Sequence, residues 1–463
     1  MSRFDRVMAM AIGVILSGIV LTLIIGDRVG VTVERTAPEG EARSTSSITV
    51  QFSEAMDRES VESRFRTEPP IEGEFTWSDR TLIFHPTSPL APGEAISVTL
   101  EAGAKSASGR DVLADTSFAF EVRRPEVAYL YPATGTPQNV WMARPGEPES
   151  ARQITFSPSG IYDFSVSPDG AQIAFSERNS NTGTTDLKLL DLATGGLTQI
   201  TNCADASCTR PVWRPDGKTI AYERVDFNSA LADQGVTPSP TRVWLVDLTA
   251  TPATTRPLMS DLQMVGHSPQ WSDDGSTIAF YSTNLNGIVV YNVETGAILT
   301  VPTGGGNSGA LSPDGQRLAY PDILVNEGGG VNTILRLAGL TDQSDTLLTT
   351  PDAGLDDSRA LWRPDGEMLA VARRDASVAR GYQVYEVNPD TGEARLLTND
   401  RRYSNMFFWW DATGDQLVLQ RFPELDANMQ PNLEGKPEIW TLDTATGEMT
   451  LVVEDGMLPR WVP

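Results

Sequence analysis

Pro211-Val212-Trp213-Arg214-Pro215-Asp216-Gly217-Lys218-Thr219-Ile220-Ala221-Tyr222 is the stretch that decides the fold, because variants of it recur from Phe164 to Leu419. Ser167-Pro168-Asp169-Gly170 is followed by Ile173-Ala174-Phe175, and Trp271 to Gly275 by Ile278-Ala279-Phe280. Ser312 to Gly315 leads into Leu318-Ala319-Tyr320, Trp362 to Gly366 into Leu369-Ala370-Val371, and Trp410 to Gly414, the most degenerate copy, into Leu417-Val418-Leu419. Each copy reads as strand, tight turn, strand. Pro presets φ, Asp bonds its own backbone, and Gly supplies a positive φ. The apolar trio after each Gly has no polar alternation, which describes a strand buried on both faces.

The turn glycines Gly170, Gly217, Gly275, Gly315, Gly366 and Gly414 are spaced by 40 to 58 residues. With four strands per unit this is the period of a β-propeller. Third and fourth strands are legible too: Asp186–Asp191 and Ile288–Val293 each lead through a Thr-Gly turn, as do Gln383–Val387 and Ile439–Asp443. At the carboxyl end, Pro459-Arg460-Trp461-Val462-Pro463 aligns with Pro211–Pro215 but stops before its turn. Val127–Tyr131, Asn139–Met142 and Arg152–Thr155 form a blade lacking its innermost strand. Joining the two predicts seven blades over 125–463, the seventh closed by 457–463 with 127–155, which leaves no open sheet edge. Ser157 to Gly160 lacks the apolar trio and reads as a loop.

Composition agrees with a mostly β protein of two or three domains: 463 residues, 39 Gly, 31 Pro and 10 Trp. A formal charge of −25 repels a phosphate backbone, so nucleic acid is excluded as a partner. Two His and two Cys leave nothing for a His/Cys metal site, and no cofactor is expected. Val7 to Ile25 is an uncharged run preceded by Arg3 and Arg6. It predicts a single-pass membrane anchor within 1–30, amino terminus cytoplasmic and the bulk outside. A cleaved signal peptide is the rival reading.

Residues 31–124 alternate apolar and polar in short runs such as Ile48–Phe52, Thr81–Phe84, Ile96–Leu100 and Phe118–Val122, predicting a β-sandwich. Ile48 to Asp57, Leu82-x-Phe84-x-Pro86, Leu90-Ala91-Pro92-Gly93 and Phe118-x-Phe120 resemble the bacterial Ig-like domain of SbsA type. That resemblance implies a spacer or adhesion module on a cell-surface protein. His85 lies in a strand of this pattern and reads as structural. The Pro-Asp-Gly and Ile-Ala-Phe repeats of 127–463 resemble the TolB propeller repeats, which implies the fold and leaves the partner open.

Strand polarity puts the Asp-Gly and Thr-Gly turns on one face of the disc. Long insertions fall on the other: Val225 to Thr241, Pro321 to Asn332, Arg373 to Gly381 and Phe422 to Glu438. Seven residues before the turn glycines stand Asp163, Arg210, Ser268, Ser308 and Arg359, with Phe407 and Leu458 breaking the series. With His267 they predict a mixed-charge ring at the channel mouth, read either as a polar rim or as a small-ligand or peptide-terminus site. Arg401-Arg402-Tyr403 on the same face is a candidate rim for an acidic partner.

Cys203 and Cys208 are expected to form a disulfide outside the cytoplasm, stapling one short loop for roughly 2 kcal/mol at most. Gly304 to Gly309 satisfies Gly-x-Gly-x-x-Gly but precedes a strand, so it cradles no phosphate. No Gly-x-Ser-x-Gly elbow is present, and the two His lie in different modules. Asp273-Asp274 and Asp356-Asp357 lack the alternating spacing of a calcium loop. No catalytic residue is assigned. The sequence points to a membrane-anchored extracytoplasmic protein that binds an envelope protein or polymer. The alternatives are a lyase or glycan hydrolase with a channel-mouth site, and a purely structural surface protein.

Overall fold

Alternation makes the first module. In Ile48–Phe52, Thr81–Pro86 and Ala95–Leu100 every second side chain is buried. These inward residues, among them Val50, Phe52, Leu82, Ile96 and Val98, form one core between two sheets. One sheet has the order Val33–Ala37, Ile48–Phe52, Thr81–Pro86, Gly73–Ser78. The other runs Gly40–Ala42, Thr116–Val122, Ala95–Leu100, Phe65–Glu68. His85 bonds Ser47 Oγ through Nδ1 at 3.0 Å and Thr76 Oγ1 through Nε2 at 2.8 Å, a structural placement.

The structure, a computed structural model, describes residues 8, 10, 12–20, 30–325, 331–349 and 354–463. It separates into two units, Met1–Arg124 and Pro125–Pro463. Of the predicted span Val7 to Ile25, residues 8, 10 and 12–20 are described and helical; the others lie outside the described residues. Among the described residues no helix is long and apolar enough to cross a membrane.

In the second unit the strands Ile161–Val166, Ala206–Trp213, His267–Trp271, Ala310–Leu311, Leu355–Trp362 and Tyr403–Trp410 each open an antiparallel meander of four. The first two meanders are joined by a parallel bridge between Thr185 and Ser207. Met457–Val462 pairs with Glu126–Tyr131, which continues through Asn139–Arg144 to Glu147–Gln153. Consecutive opening strands touch one another, and Met457–Val462 touches Ile161–Val166, so these strands ring a central channel. The arrangement is a β-propeller. Second strands carry the apolar trios, and Ile220, Ala221 and Tyr222 are fully buried, as are Leu417, Val418 and Leu419.

The repeated motif performs two separable tasks. Its Asp closes the turn: Asp216 Oδ1 accepts from Lys218 N at 2.9 Å, and Asp314 and Asp365 do the same two residues on. Its Trp joins one sheet to the next. Trp362 Nε1 donates to Ala310 O at 2.9 Å, Trp410 to Leu361 O at 3.3 Å, Trp461 to Trp409 O at 3.1 Å and Trp213 to Ser165 O at 3.4 Å. Each acceptor belongs to the preceding inner strand. Arginines add a second stitch on the turn side: Arg214 Nε donates to Gly275 O at 2.9 Å and Arg317 Nη2 to Gly366 O at 3.1 Å.

One sequence expectation is corrected. Pro321 to Asn332 is a continuation of strands rather than a loop: Arg317–Val325 and Val331–Gly339 pair through Val325↔Val331, with 326–330 outside the described residues. The alternating β-branched residues of that segment favour an extended pair over an irregular loop. Strand also reaches into the other predicted insertions, to Asp226, Asp375 and Pro423. The expected Cys203–Cys208 disulfide is present, with Cα atoms 6.4 Å apart. Both sulfurs sit in the core with Ala206, Trp213 and Ile220.

Trp271 Nε1 is buried without a hydrogen-bond partner, which makes it an internal control for the stitch. Both Trp271 and Trp362 lie under an arginine, Arg214 and Arg317 respectively. Replacing Trp362 by Phe should therefore cost about 1 kcal/mol more than replacing Trp271 by Phe, as read by urea unfolding. Equal losses would show that the indole acts by volume alone.

Candidate functional site

Each inner strand except the short Ala310–Leu311 carries a register shift as it enters the sheet, for example between Thr209 and Val212 and between His267 and Gln270. A bulge leaves a residue out of the ladder and reorients its backbone. At three of these positions the residue is left-handed without being Gly: Arg210 at φ 53°, Ser268 at φ 57° and Leu458 at φ 52°. The freed N–H then reaches the preceding sheet. Arg210 N donates to Asp163 Oδ2 at 2.7 Å, Ser268 N to Glu223 Oε1 at 2.7 Å and Leu458 N to Gln420 Oε1 at 2.8 Å. The predicted ring is thus first a backbone device that joins neighbours, and the left-handed strain is offset by a bond to a carboxylate at Arg210 and Ser268 and to an amide oxygen at Leu458.

The side chains of the predicted ring divide into two groups. Asp163, Arg210, Ser268 and His267 form a chain of contacts: Ser176 Oγ donates to Asp163, Arg210 Nη1 lies 3.4 Å from both Glu223 Oε1 and Ser268 Oγ, and His267 Nδ1 is 3.0 Å from Ser268 Oγ. The His267 ring rests against Tyr281 with centroids 5.5 Å apart. Ser308 is a correction to the expected polar rim. It is buried and contributes its carbonyl, which accepts from Gln270 Nε2 at 3.1 Å.

Arg359 stands apart from that chain. Its guanidinium lies 4.6 Å from the Trp409 ring centroid, and Arg460 lies 3.5 Å from the same ring. Neither Arg460 nor Trp409 belongs to the predicted ring. They occupy the position two residues further along the inner strand, where Ser165, Val212, Gln270, Ala310 and Leu361 stand in the other copies. Burial lowers the pKa of Arg359; burial and then the nearby Arg359 charge lower that of Arg460, with Asp163 opposing. The cluster therefore holds positive charge at a cost in the free protein.

The rim residues are tied into the fold rather than free. Arg401 Nε donates to Val378 O at 2.6 Å, Arg402 pairs with Asp400 at 2.7 Å, and Tyr403 lies under Arg421 at 3.9 Å while donating to Glu438 Oε1 at 3.3 Å. They separate two clefts on the long-loop side. One, of about 680 Å³, is lined by Arg374, Arg380, Arg401, Leu425 and Met429 among others. The second, of about 410 Å³, lies between Arg402, Tyr403, Lys436 and Glu438. The Asp356-Asp357 pair is committed to arginines. Asp357 takes two parallel bonds from Arg373 at 2.7 and 2.8 Å, and Asp356 pairs with Arg374 and accepts from Tyr382 Oη at 2.9 Å. Asp274 is used by its own turn, accepting from Ser276 N at 2.9 Å.

Burial pushes the Asp163 carboxyl up to about 6, with Glu223 adding to it against the hydrogen bonds from Ser176 and the Arg210 N–H. The native state thus keeps this proton to a higher pH than the unfolded chain, whose ordinary value is 3.8. Stability contributed by Asp163 is present below that value, falls as pH rises to about 6 and stays lost above it. Asp163→Asn should raise the Tm relative to the wild type at pH 7.5, and the difference should shrink by about pH 4. An offset independent of pH in paired thermal melts would rule out this linkage.

The family model described as a bacterial Ig-like domain matches residues 27–122. No curated relative matches the sequence. Among solved structures, a puromycin-hydrolyzing peptidase from Mycobacterium tuberculosis is similar at 15% identity, with 80% of this chain and 53% of that chain covered and a TM-score of 0.50. TolB from Acinetobacter baumannii is similar at 15% identity, covering 86% and 83% with a TM-score of 0.43. The β-propeller domain of the Trilobed protease from Pyrococcus furiosus follows at 14%, covering 78% and 93%, TM-score 0.46. At this identity such likeness speaks to fold alone. The chain is an Ig-like domain of the bacterial family followed by a β-propeller whose repeats resemble those of TolB.

Proposed function

We propose that this is an extracytoplasmic binding protein, held at a membrane by its amino-terminal segment, in which a seven-bladed propeller engages an envelope protein. The uncharged run Val7 to Ile25 supports the anchor. The reading of the propeller as a binding module rests on where its apolar side chains lie. Antiparallel meanders place second-to-third-strand loops and sheet-to-sheet loops on one side, and the Asp-Gly and Thr-Gly turns on the other. Leu231, Leu262, Leu285, Val325, Val331 and Leu433 all belong to the first side and all are exposed, Val325 by 66%, Val331 by 62% and Leu433 by 94%. Among the described residues, no Asp-Gly or Thr-Gly turn itself carries an exposed large apolar side chain, although Leu197 and Ile298 are exposed where the outer strands leave two Thr-Gly turns.

Scattered exposed apolar residues are ordinary, whereas segregation to one face of a scaffold is the pattern of an interaction surface. It favours a protein over a polysaccharide or other polar polymer, and binding over catalysis. Arg380 and Arg401 in the larger cleft would add charge complementarity to an acidic partner.

A photo-crosslinking residue placed at Val325 or Leu433 of the full chain should yield a discrete adduct in intact cells. The same residue at Lys218, in an Asp-Gly turn, should not. Adducts from Lys218 alone, or equally from both sides, would remove the proposal. Alkaline extraction of membranes should leave the full chain in the pellet and release a variant lacking residues 1–30; release of both would remove the anchor.

A further inference from the structure

Several arginines of the propeller are paired with acids: the buried Arg373 with Asp357, and the more exposed Arg374, Arg395 and Arg402 with Asp356, Glu386 and Asp400. In a chain with 61 acidic and 36 basic residues, a cation without a carboxylate needs a reason. Arg359 and Arg460 are two such cations, side by side on the channel wall. Among the described residues, the hydrogen bonds of Arg359 are limited to Nη2 to Phe408 O at 3.5 Å, and its Nε is buried with no partner. Arg460 Nη1 donates to the carbonyl of its own neighbour, Pro459, at 2.8 Å. Both guanidiniums lie against the one indole, Trp409, and the Arg359 charge adds to the cost of holding Arg460 charged.

Asp163 is the carboxylate whose charge reaches Arg460, and its oxygens are already occupied by Ser176 Oγ and the Arg210 N–H. It tempers the cluster without neutralising it. Two guanidiniums and one carboxylate leave a formal excess of one positive charge. A guanidinium offers parallel donors that match a carboxylate. An indole beside them holds those donors in place through cation–π contact while excluding water from one side. A dianion would meet the repulsion of Asp163, whereas a single carboxylate balances the excess.

We infer that Arg359, Arg460 and Trp409 form a site in the propeller channel for a single carboxylate group, borne by a small acid or by a peptide carboxyl terminus. The site is independent of the long-loop surface proposed above. Its apparent defects in the free protein, an unsatisfied Nε and two adjacent cations, are what such a ligand would relieve.

The test uses the full chain with acetate, N-acetyl-dialanine, the corresponding dialanine amide and inorganic phosphate, followed by calorimetry and tryptophan fluorescence. Saturable binding of one or both acids, with no binding of the amide, is expected. Acetate alone would identify a small-acid site, and the dipeptide acid binding more tightly would identify a chain terminus. Arg359→Gln and Arg460→Gln should each weaken binding by roughly tenfold or more, and Lys218→Gln, in an Asp-Gly turn, should leave it unchanged. Trp409→Phe should abolish the fluorescence response. Arg359→Gln should melt no lower than the wild type, because it removes an uncompensated charge. Should either Gln variant fail to fold, Arg460→Lys keeps the charge, loses the paired donors and should bind more weakly. Failure of the wild type to bind either acid, equal binding of the amide, tighter binding of phosphate, or full binding by the double Gln variant would each overturn the inference.

Discussion

Flat neighbouring sheets arranged about an axis leave a wedge between them, and this protein fills the wedge with an indole that also donates a hydrogen bond. The Trp at the end of one inner strand donates to the carbonyl near the end of the one before it, from Trp213 onto Ser165 O to Trp461 onto Trp409 O. Much else follows from that contact. It fixes the spacing of inner strands, so that an N–H freed at a bulge can reach a side-chain oxygen of the preceding sheet, as Arg210 does with Asp163. It places the arginine after the Trp over the next turn, as with Arg214 and Gly275. It also faces the short turns one way and leaves the other side free to vary.

Much of this was legible in the residues. An Asp two residues before a bonded N–H, a Gly with positive φ and an apolar trio are local signals, and each copy of the motif but the last, where Thr413 replaces the Asp, repeats them. The seam was legible because Trp461 sits in the register of Trp213 although its turn is missing; its strand does pair with Glu126–Tyr131. The extent of Arg317–Val325 was not. Its second half is exposed, so alternation there looks like the pattern of an insertion, and only pairing with Val331–Gly339 makes it a strand. The burial of Cys203 and Cys208 had no signal either, because a short loop gives no periodicity to read.

The candidate site was legible in position more than in content. Counting back from each turn Gly located the entry to the inner strands. The chemistry there lies partly in the backbone, and Arg, Ser and Leu give no hint of a left-handed conformation. Arg460 escaped for a different reason. The residues two places further along the repeat, Ser165, Val212, Gln270, Ala310, Leu361, Trp409 and Arg460, share no property in sequence. The stacking of three consecutive inner strands, Leu355–Trp362, Tyr403–Trp410 and Met457–Val462, brings Arg359 and Arg460 to the same indole. The buried pairs of Asp356 and Asp357 show the converse: an acidic dipeptide suggestive of a cation is consumed by Arg374 and Arg373.

The pairing of Met457–Val462 with Glu126–Tyr131 also sets an order of events. A chain emerging amino end first makes Glu126–Tyr131 before the intervening sheets and its inner neighbour after them. Until then the inner edge of that sheet offers unpaired backbone groups to any passing strand. Trp461 and Arg460 arrive on the same strand, so the wedge at this seam and the channel cluster are completed together. Assembly of the disc and assembly of its interior are thus a single late event, and a chain interrupted before it would have neither.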